Sequence, residues 1–251
     1  MLNDKVSVNY HEILEDRYIE DVVRRIRLLF YIEDLIEFRI NEEELQNLEI
    51  RIDGLLKEDI GRITVYGEGI AGNFEYRDIY EGVEIIFKCG KGIGYTISEI
   101  YRVLGFRIAK NAVGKLSKYL SHGREYLMAI LLNGMTIMLE GFERSVIIPV
   151  LESTIFIAHT HPKTRQTVFS RKDLIATLDI ISKRGLGACV IAMGATLCIL
   201  REKALTFEEY EKFELLINDY GMATKDVLER AEFKSLYILY SMLDLYSYSF
   251  G

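Results

Sequence analysis

Between residues 9 and 57, apolar side chains recur at three- and four-residue spacing among charges. Val22, Val23, Ile26, Leu29 and Phe30 fit one helical face, and Ile32, Leu35 and Ile36 continue it. This predicts helical structure from the region of His11 onward, with His11 solvated, and a second helix over residues 42 to 56. Both helices are expected to pack on their own domain. From residue 62 the character changes. RITVYGEG, NFEYRDIY and GVEIIFKCG are β-rich runs separated by glycines. GKGIG, at 90–94, lacks the spacing of a phosphate loop and reads as a turn.

From about residue 104 the pattern becomes compact α/β. FRIAKNAV predicts a short strand entering a helix that runs to about residue 121. The apolar strands EYLMAILLNG, MTIMLEG, SVIIPVL and STIFIAHTH follow, then the helix SRKDLIATLDIISK and the strand pair ACVIAM and TLCILR. Residues 206 to 247 read as helical, with Leu215, Leu216, Val227 and Leu228 on the apolar side and a Tyr/Leu-rich end. That end, if it were a surface, would suit docking of a partner. Packing on the core is the plainer reading. No repeat of solenoid period appears.

With 251 residues, 49% of them apolar and 27% charged, the chain is long enough for a sizeable core. The net charge of −7 argues against a general nucleic-acid binder. The longest uncharged apolar run, between Arg184 and Arg201, is broken by glycines and is short for a membrane span. It reads as two buried strands. MLNDKVSVNYHEILED carries charges early and has no apolar stretch of the kind that directs secretion, so the expected location is cytoplasmic. Cys89, Cys189 and Cys198 are widely spaced and form no CxxC; they are expected to be buried, reduced thiols, a Cys189–Cys198 bridge being the lesser alternative.

The chemistry concentrates in one segment. Of four histidines, two lie in a single tripeptide, and HTHPKTRQTVFSRKD, from His159 to Asp173, has the form H-x-H-P, seven residues, S-x-x-D. The apolar run TIFIA leads into His159, so the histidines stand at the end of a buried strand. Residues i and i+2 of a strand share a face, which lets both imidazoles reach one cation. Pro162 ends the strand. Ser170 opens a helix as a capping residue, and Asp173 lies in the first turn. Two histidines and one carboxylate leave a fourth tetrahedral position open, as a catalytic zinc site does.

This segment resembles the JAMM motif of the MPN+ metallopeptidases, H-[ST]-H-P-x7-S-x2-D with a glutamate upstream. The resemblance extends back through FRIAKNAVGKLSKYLSHGREYLMAILLNG and covers roughly residues 104 to 203. It implies an α/β fold, an MPN (JAB-like) domain with a mixed β-sheet flanked by helices. The expected division is an N-terminal α+β region over residues 1–100, the catalytic domain over 101–205 and a C-terminal helical extension over 206–251. It implies Zn2+ held by His159, His161 and Asp173, with Ser170 stabilising an oxyanion. Phe169 departs from the pattern, where many relatives have proline. The catalytic glutamate is expected to be Glu125, ahead of YLMAILLNG; Glu140, Glu143 and Glu152 remain rivals. His122, beside Gly123, reads as a helix-capping residue.

The activity implied is hydrolysis of a peptide or isopeptide bond after a ubiquitin-like protein, as a deubiquitinase-like isopeptidase or a processor of a sulfur-carrier protein. The implied partner is that ubiquitin-like protein or its conjugates, with a further protein partner or a homo-oligomer open, and neither nucleic acid nor membrane. The alternative is a non-catalytic or partner-activated MPN scaffold subunit of a larger complex.

Overall fold

The structure is a computed structural model, and it describes residues 9–39, 49–68, 75–141, 152–162 and 167–242. The chain forms two compact units, Asp21–Leu104 and a second made of Met1–Glu20 with Gly105–Gly251. Helix α1 (Arg17–Arg39) runs across the first of these boundaries. Helix α2 (Ile97–Leu116) runs across the other.

Within Asp21–Leu104, β2 (Glu49–Asp53), β3 (Arg62–Glu68), β4 (Tyr76–Tyr80), β5 (Val83–Cys89) and β6 (Tyr95–Thr96) form a sheet in the order β4-β5-β3-β2-β6. β3 and β5 are parallel and the other pairs antiparallel. Alternation sets the buried face: Ile63 and Val65 on β3, and Val83, Ile85 and Phe87 on β5, are buried. The α1 stripe of Val22, Val23, Ile26, Leu29, Ile32 and Ile36 is buried as its spacing predicts. The three β-rich runs of residues 62 to 90 are therefore strands. The helix expected over 42 to 56 is not formed where the structure describes it: EIRID is β2, and residues 42 to 48 lie outside the described residues.

The other unit is built on a sheet of seven strands in the order β1-β8-β7-β9-β11-β12-β14. They are β1 (Asn9–Leu14), β7 (Tyr126–Leu131), β8 (Thr136–Glu140), β9 (Thr154–His161), β11 (Gly187–Ala192), β12 (Ala195–Arg201) and β14 (Leu236–Met242). β9 and β11 are parallel, joined through the short β10 (Phe169–Ser170) and helix α3 (Arg171–Ser182); the other neighbours run antiparallel. A 3-10 turn (Ser117–His122) follows α2, while α4 (Phe207–Tyr220), β13 (Met222–Ala223) and α5 (Lys225–Arg230) precede β14.

Leu127 and Ile157 from the strands, Leu174 and Leu178 from α3, and Phe213 and Leu216 from α4 share one core. Every residue of β7, β11 and β12 is buried, which explains why these strands read as continuous apolar runs rather than alternating ones. Gly187 has φ +129°, and a Cβ there would collide with the Ile199 carbonyl oxygen, so β11 and β12 approach closely only because it is glycine.

Several expectations need correction. Residues 9–14, His11 among them, form an edge strand paired with β8, not a helix. FRIAKNAV lies wholly inside α2, so its first residues are helical and not a strand. SVIIPVL lies outside the described residues. The C-terminal segment is not helical throughout: residues 236–242 pair with β12 along its length, so this part belongs to the sheet instead of a helical extension.

Cys189 and Cys198 are directly opposed across β11 and β12 and form a disulfide, which overturns the expectation of reduced thiols. Cys89 is free but exposed. No helix among the described residues is long and apolar enough to cross a membrane.

Candidate metal centre

β9 lies between β7 and β11 and delivers His159 and His161 at its C-terminal end. Their side chains share a face because they are two residues apart. The Nε2 atoms are 3.0 Å apart, with the rings edge to face at 4.9 Å between centroids. Asp173 arrives from the first turn of α3. Its backbone N–H donates to Ser170 Oγ at 3.3 Å, and the Ser170 N–H donates to Asp173 Oδ2 at 2.7 Å, a reciprocal capping box. The cap fixes the start of the helix and so fixes the carboxylate, whose Oδ1 is 3.5 Å from His159 Nε2.

The three side chains offer ligand atoms that all lie within 4.8 Å of one another and form a group that could hold a metal ion. The two separations from His159 Nε2, 3.0 Å to His161 and 3.5 Å to Asp173, are close to the roughly 3.3–3.5 Å between ligands about 2.0–2.2 Å from a tetrahedral metal. His159 and Asp173 are buried, while His161 is half-buried, so the approach from solvent is on the His161 side. His159 Nδ1 is buried without a hydrogen-bond partner among the described residues, which leaves Nε2 as the nitrogen turned to the group.

The charges are strongly coupled. Burial works against a charged His159 ring, but the Asp173 carboxylate, with a smaller contribution from Glu125, outweighs it and raises the pKa above 6.5. Burial, then the neighbouring charge on His159, pushes His161 down to about 4. Burial would raise Asp173, yet His159 and the hydrogen bonds from Ser170 hold it down at about 2. The site thus keeps one carboxylate ionised and accepts one proton far more readily than a second.

Glu125 immediately precedes β7. β7 and β9 pair antiparallel with Leu127 opposite His159 and Met128 opposite Ala158. The pairing ends there; carried two residues further, that register would set Glu125 across from His161, where opposed residues project to the same face. Glu125 is half-buried, and its charge is felt at His159. The rivals are placed differently. Glu140 pairs with Tyr126, one strand further out and on the alternate face, and its Oε1 is 2.5 Å from Arg124 Nη1. Glu152 is exposed in the turn at the opposite end of β9, roughly 20 Å of strand from the histidines. Glu143 lies outside the described residues.

His122 ends the 3-10 turn, with Gly123 at φ 73° after it, and meets the rings of Tyr119 and Tyr126 edge-on. β10 pairs with β13, which places the exposed Met222 opposite Ser170, a contact with no counterpart among the sequence expectations. A two-residue strand leaves no periodic signal by which to find it. Comparison with known proteins returned no matching family model, no matching curated protein and no matching solved structure.

Proposed function

We propose that the protein is a zinc-dependent hydrolase of the JAMM (MPN+) type that cleaves a peptide or isopeptide bond after a ubiquitin-like protein. The observation that carries this reading is the convergence of His159, His161 and Asp173, with the charge of the neighbouring Glu125 felt at His159. The ligand set favours zinc, which takes imidazole and carboxylate together and tolerates an open fourth position. When bound, the ion supplies Lewis acidity and makes water nucleophilic near neutral pH.

The chain's own residues do the rest. Asp173, ionised and held by its capping box, supplies negative charge to the site. Glu125 takes a proton from the attacking water at its carboxylate and returns it to the leaving amine. Ser170 donates its hydroxyl proton to the developing oxyanion, a contact worth about 3 kcal/mol in comparable sites. Its hydroxyl also contacts Asp173, so Ser170 positions a ligand, and in this reading its single O–H turns from that carboxylate to the oxyanion as charge develops. The substrate class follows from the resemblance of the motif.

The test has two stages. Elemental analysis of the purified protein is expected to find near one zinc per chain, lost in His161→Ala. A panel of Gly-Gly-terminated conjugates and C-terminally extended precursors is then expected to reveal turnover that falls about 10²- to 10⁴-fold in Glu125→Gln, with zinc retained. Absence of zinc even after adding it back, or full turnover by Glu125→Gln, would refute the reading.

A further inference from the structure

The strand pair that brings Glu125 to the metal group stops where the site begins. Backbone pairing of β7 with β9 extends to Leu127 and His159. The next pair in that register is Tyr126 with Thr160, and the one after is Glu125 with His161; the ladder reaches neither. Instead the Tyr126 N–H donates to Thr160 Oγ1 at 2.9 Å in a buried position. Thr160 is 0% exposed and stands between the two histidines in sequence, with its side chain on the alternate face. A side-chain hydroxyl therefore takes the N–H at the point where the two backbones cease to pair. On its other side, the Glu125 carbonyl accepts from the Gly141 N–H at 2.8 Å, which ties that residue toward the β8 edge.

We infer that Thr160 is a positioning residue: its hydroxyl ends the β7–β9 ladder and thereby sets where Glu125 stands relative to His159 and His161. A valine there keeps the shape and removes the acceptor. The Tyr126 N–H then loses this acceptor in a buried place, and the strand ends shift, either closing the ladder by another residue or parting to admit water. Either outcome displaces Glu125. The metal ligands themselves are unchanged, so the effect is one of proton handling and not of ion binding. The catalytic part of this inference rests on the proposed role of Glu125; the structural part does not.

The experiment compares wild type, Thr160→Val, Thr160→Ser and Glu125→Gln, each loaded with cobalt(II) in place of zinc. Hydrogen exchange is expected to show a protected Tyr126 amide in wild type and Thr160→Ser, and exchange faster by roughly tenfold in Thr160→Val. The visible absorption of the cobalt-loaded protein is expected to shift in Thr160→Val as it does in Glu125→Gln, with cobalt stoichiometry unchanged. With the zinc-loaded protein and a Gly-Gly conjugate, kcat is expected to fall roughly 10- to 100-fold in Thr160→Val at constant KM, and to be restored in Thr160→Ser.

An unprotected Tyr126 amide in wild type overturns the inference, a measurement that does not depend on any variant folding. So does a Thr160→Val protein with unaltered cobalt absorption and kcat. A wild type that binds cobalt and hydrolyses nothing would instead remove the proposed function, and the exchange and absorption measurements would still decide the role of Thr160.

Discussion

Stripped of metal by a chelator, the protein is expected to be most stable near pH 6.5 and to lose stability on both sides. The cause is the shared charge of two imidazoles whose Nε2 atoms stand 3.0 Å apart. The folded site holds a first proton above the ordinary histidine pKa of 6.5, because Asp173 and Glu125 favour it at His159. It resists a second until about pH 4, because burial and the first charge oppose it at His161. The two limbs have opposite signs. As pH rises above 6.5 the unfolded chain has released a proton that the folded site retains, so the stabilisation is lost as pH passes through the raised pKa. As pH falls from 6.5 toward 4 the unfolded chain binds a proton that the folded site refuses, which costs about 3 kcal/mol over that interval. Asp173 adds nothing there, since its contribution fades only between about 4 and about 2. Urea unfolding of the chelated protein from about pH 8 to about pH 4 measures both limbs. His161→Gln removes the second titrating ring, and its acid limb is expected to be shallower by up to about 3 kcal/mol. An acid limb of equal depth in wild type and variant would refute the reasoning. Saturating zinc is expected to deepen the wild-type limb, because protons then compete with the ion for its ligands.

Three further outcomes are expected. The Glu209 carboxylate accepts from the N–H of Lys234 at 2.5 Å, the N–H of Ser235 at 2.9 Å and the Ser235 hydroxyl, tying α4 to the start of β14. Glu209→Gln is expected to lower the unfolding free energy by about 2–3 kcal/mol in urea titration at neutral pH. The difference should vanish on acidification, because a lowered carboxyl pKa stabilises only above its ordinary value of 4.5. Peptide mapping without reductant is expected to recover Cys189 linked to Cys198, and the double alanine variant to lose about 2.5 kcal/mol, the loop-closure value for so short a span. Ser170→Ala is expected to cost about 1 kcal/mol of stability through the lost cap and to lower zinc occupancy as well as turnover, both read on the same sample.

Much of the site was legible because its spacing is local. His159 and His161 are bound to share a face by the two-residue period of a strand, and Ser170 with Asp173 forms a cap by a spacing internal to one turn. The strands of residues 62 to 90, α1 and α3 were likewise marked by glycines and apolar stripes. What failed depends on partners distant in sequence. NYHEIL became β1 by pairing with β8, and LYILYSM became β14 by pairing with β12, although both adjoin segments with helical spacing. FRIAKNAV has few strand-formers, and α2, begun at Ile97, continues through it. The opposition of Cys189 and Cys198 follows from the β11–β12 hairpin register, which cysteine spacing does not encode.

Glu125 lies between these cases, and it shows why a residue outside the local motif is harder to read than His159, His161 and Asp173. By sequence it is one of four glutamates near apolar strands, and its distance from His159 along the chain says nothing of the space between them. Antiparallel register favours one of them: from Ile130 to Leu127 the residue numbers of opposed positions on β7 and β9 have a constant sum, and extending that stretch past Leu127 and His159 puts Glu125 across from His161. The same arithmetic moves Glu140 to the alternate face through its pairing with Tyr126. A slip of a single residue would exchange the faces and turn Glu125 away from the histidines. The placing of Glu125 relative to the histidines is thus a property of the strand pairing. The hydrogen bond from Tyr126 to Thr160 lies at the end of that pairing, one residue from Glu125 and between the two histidines in sequence.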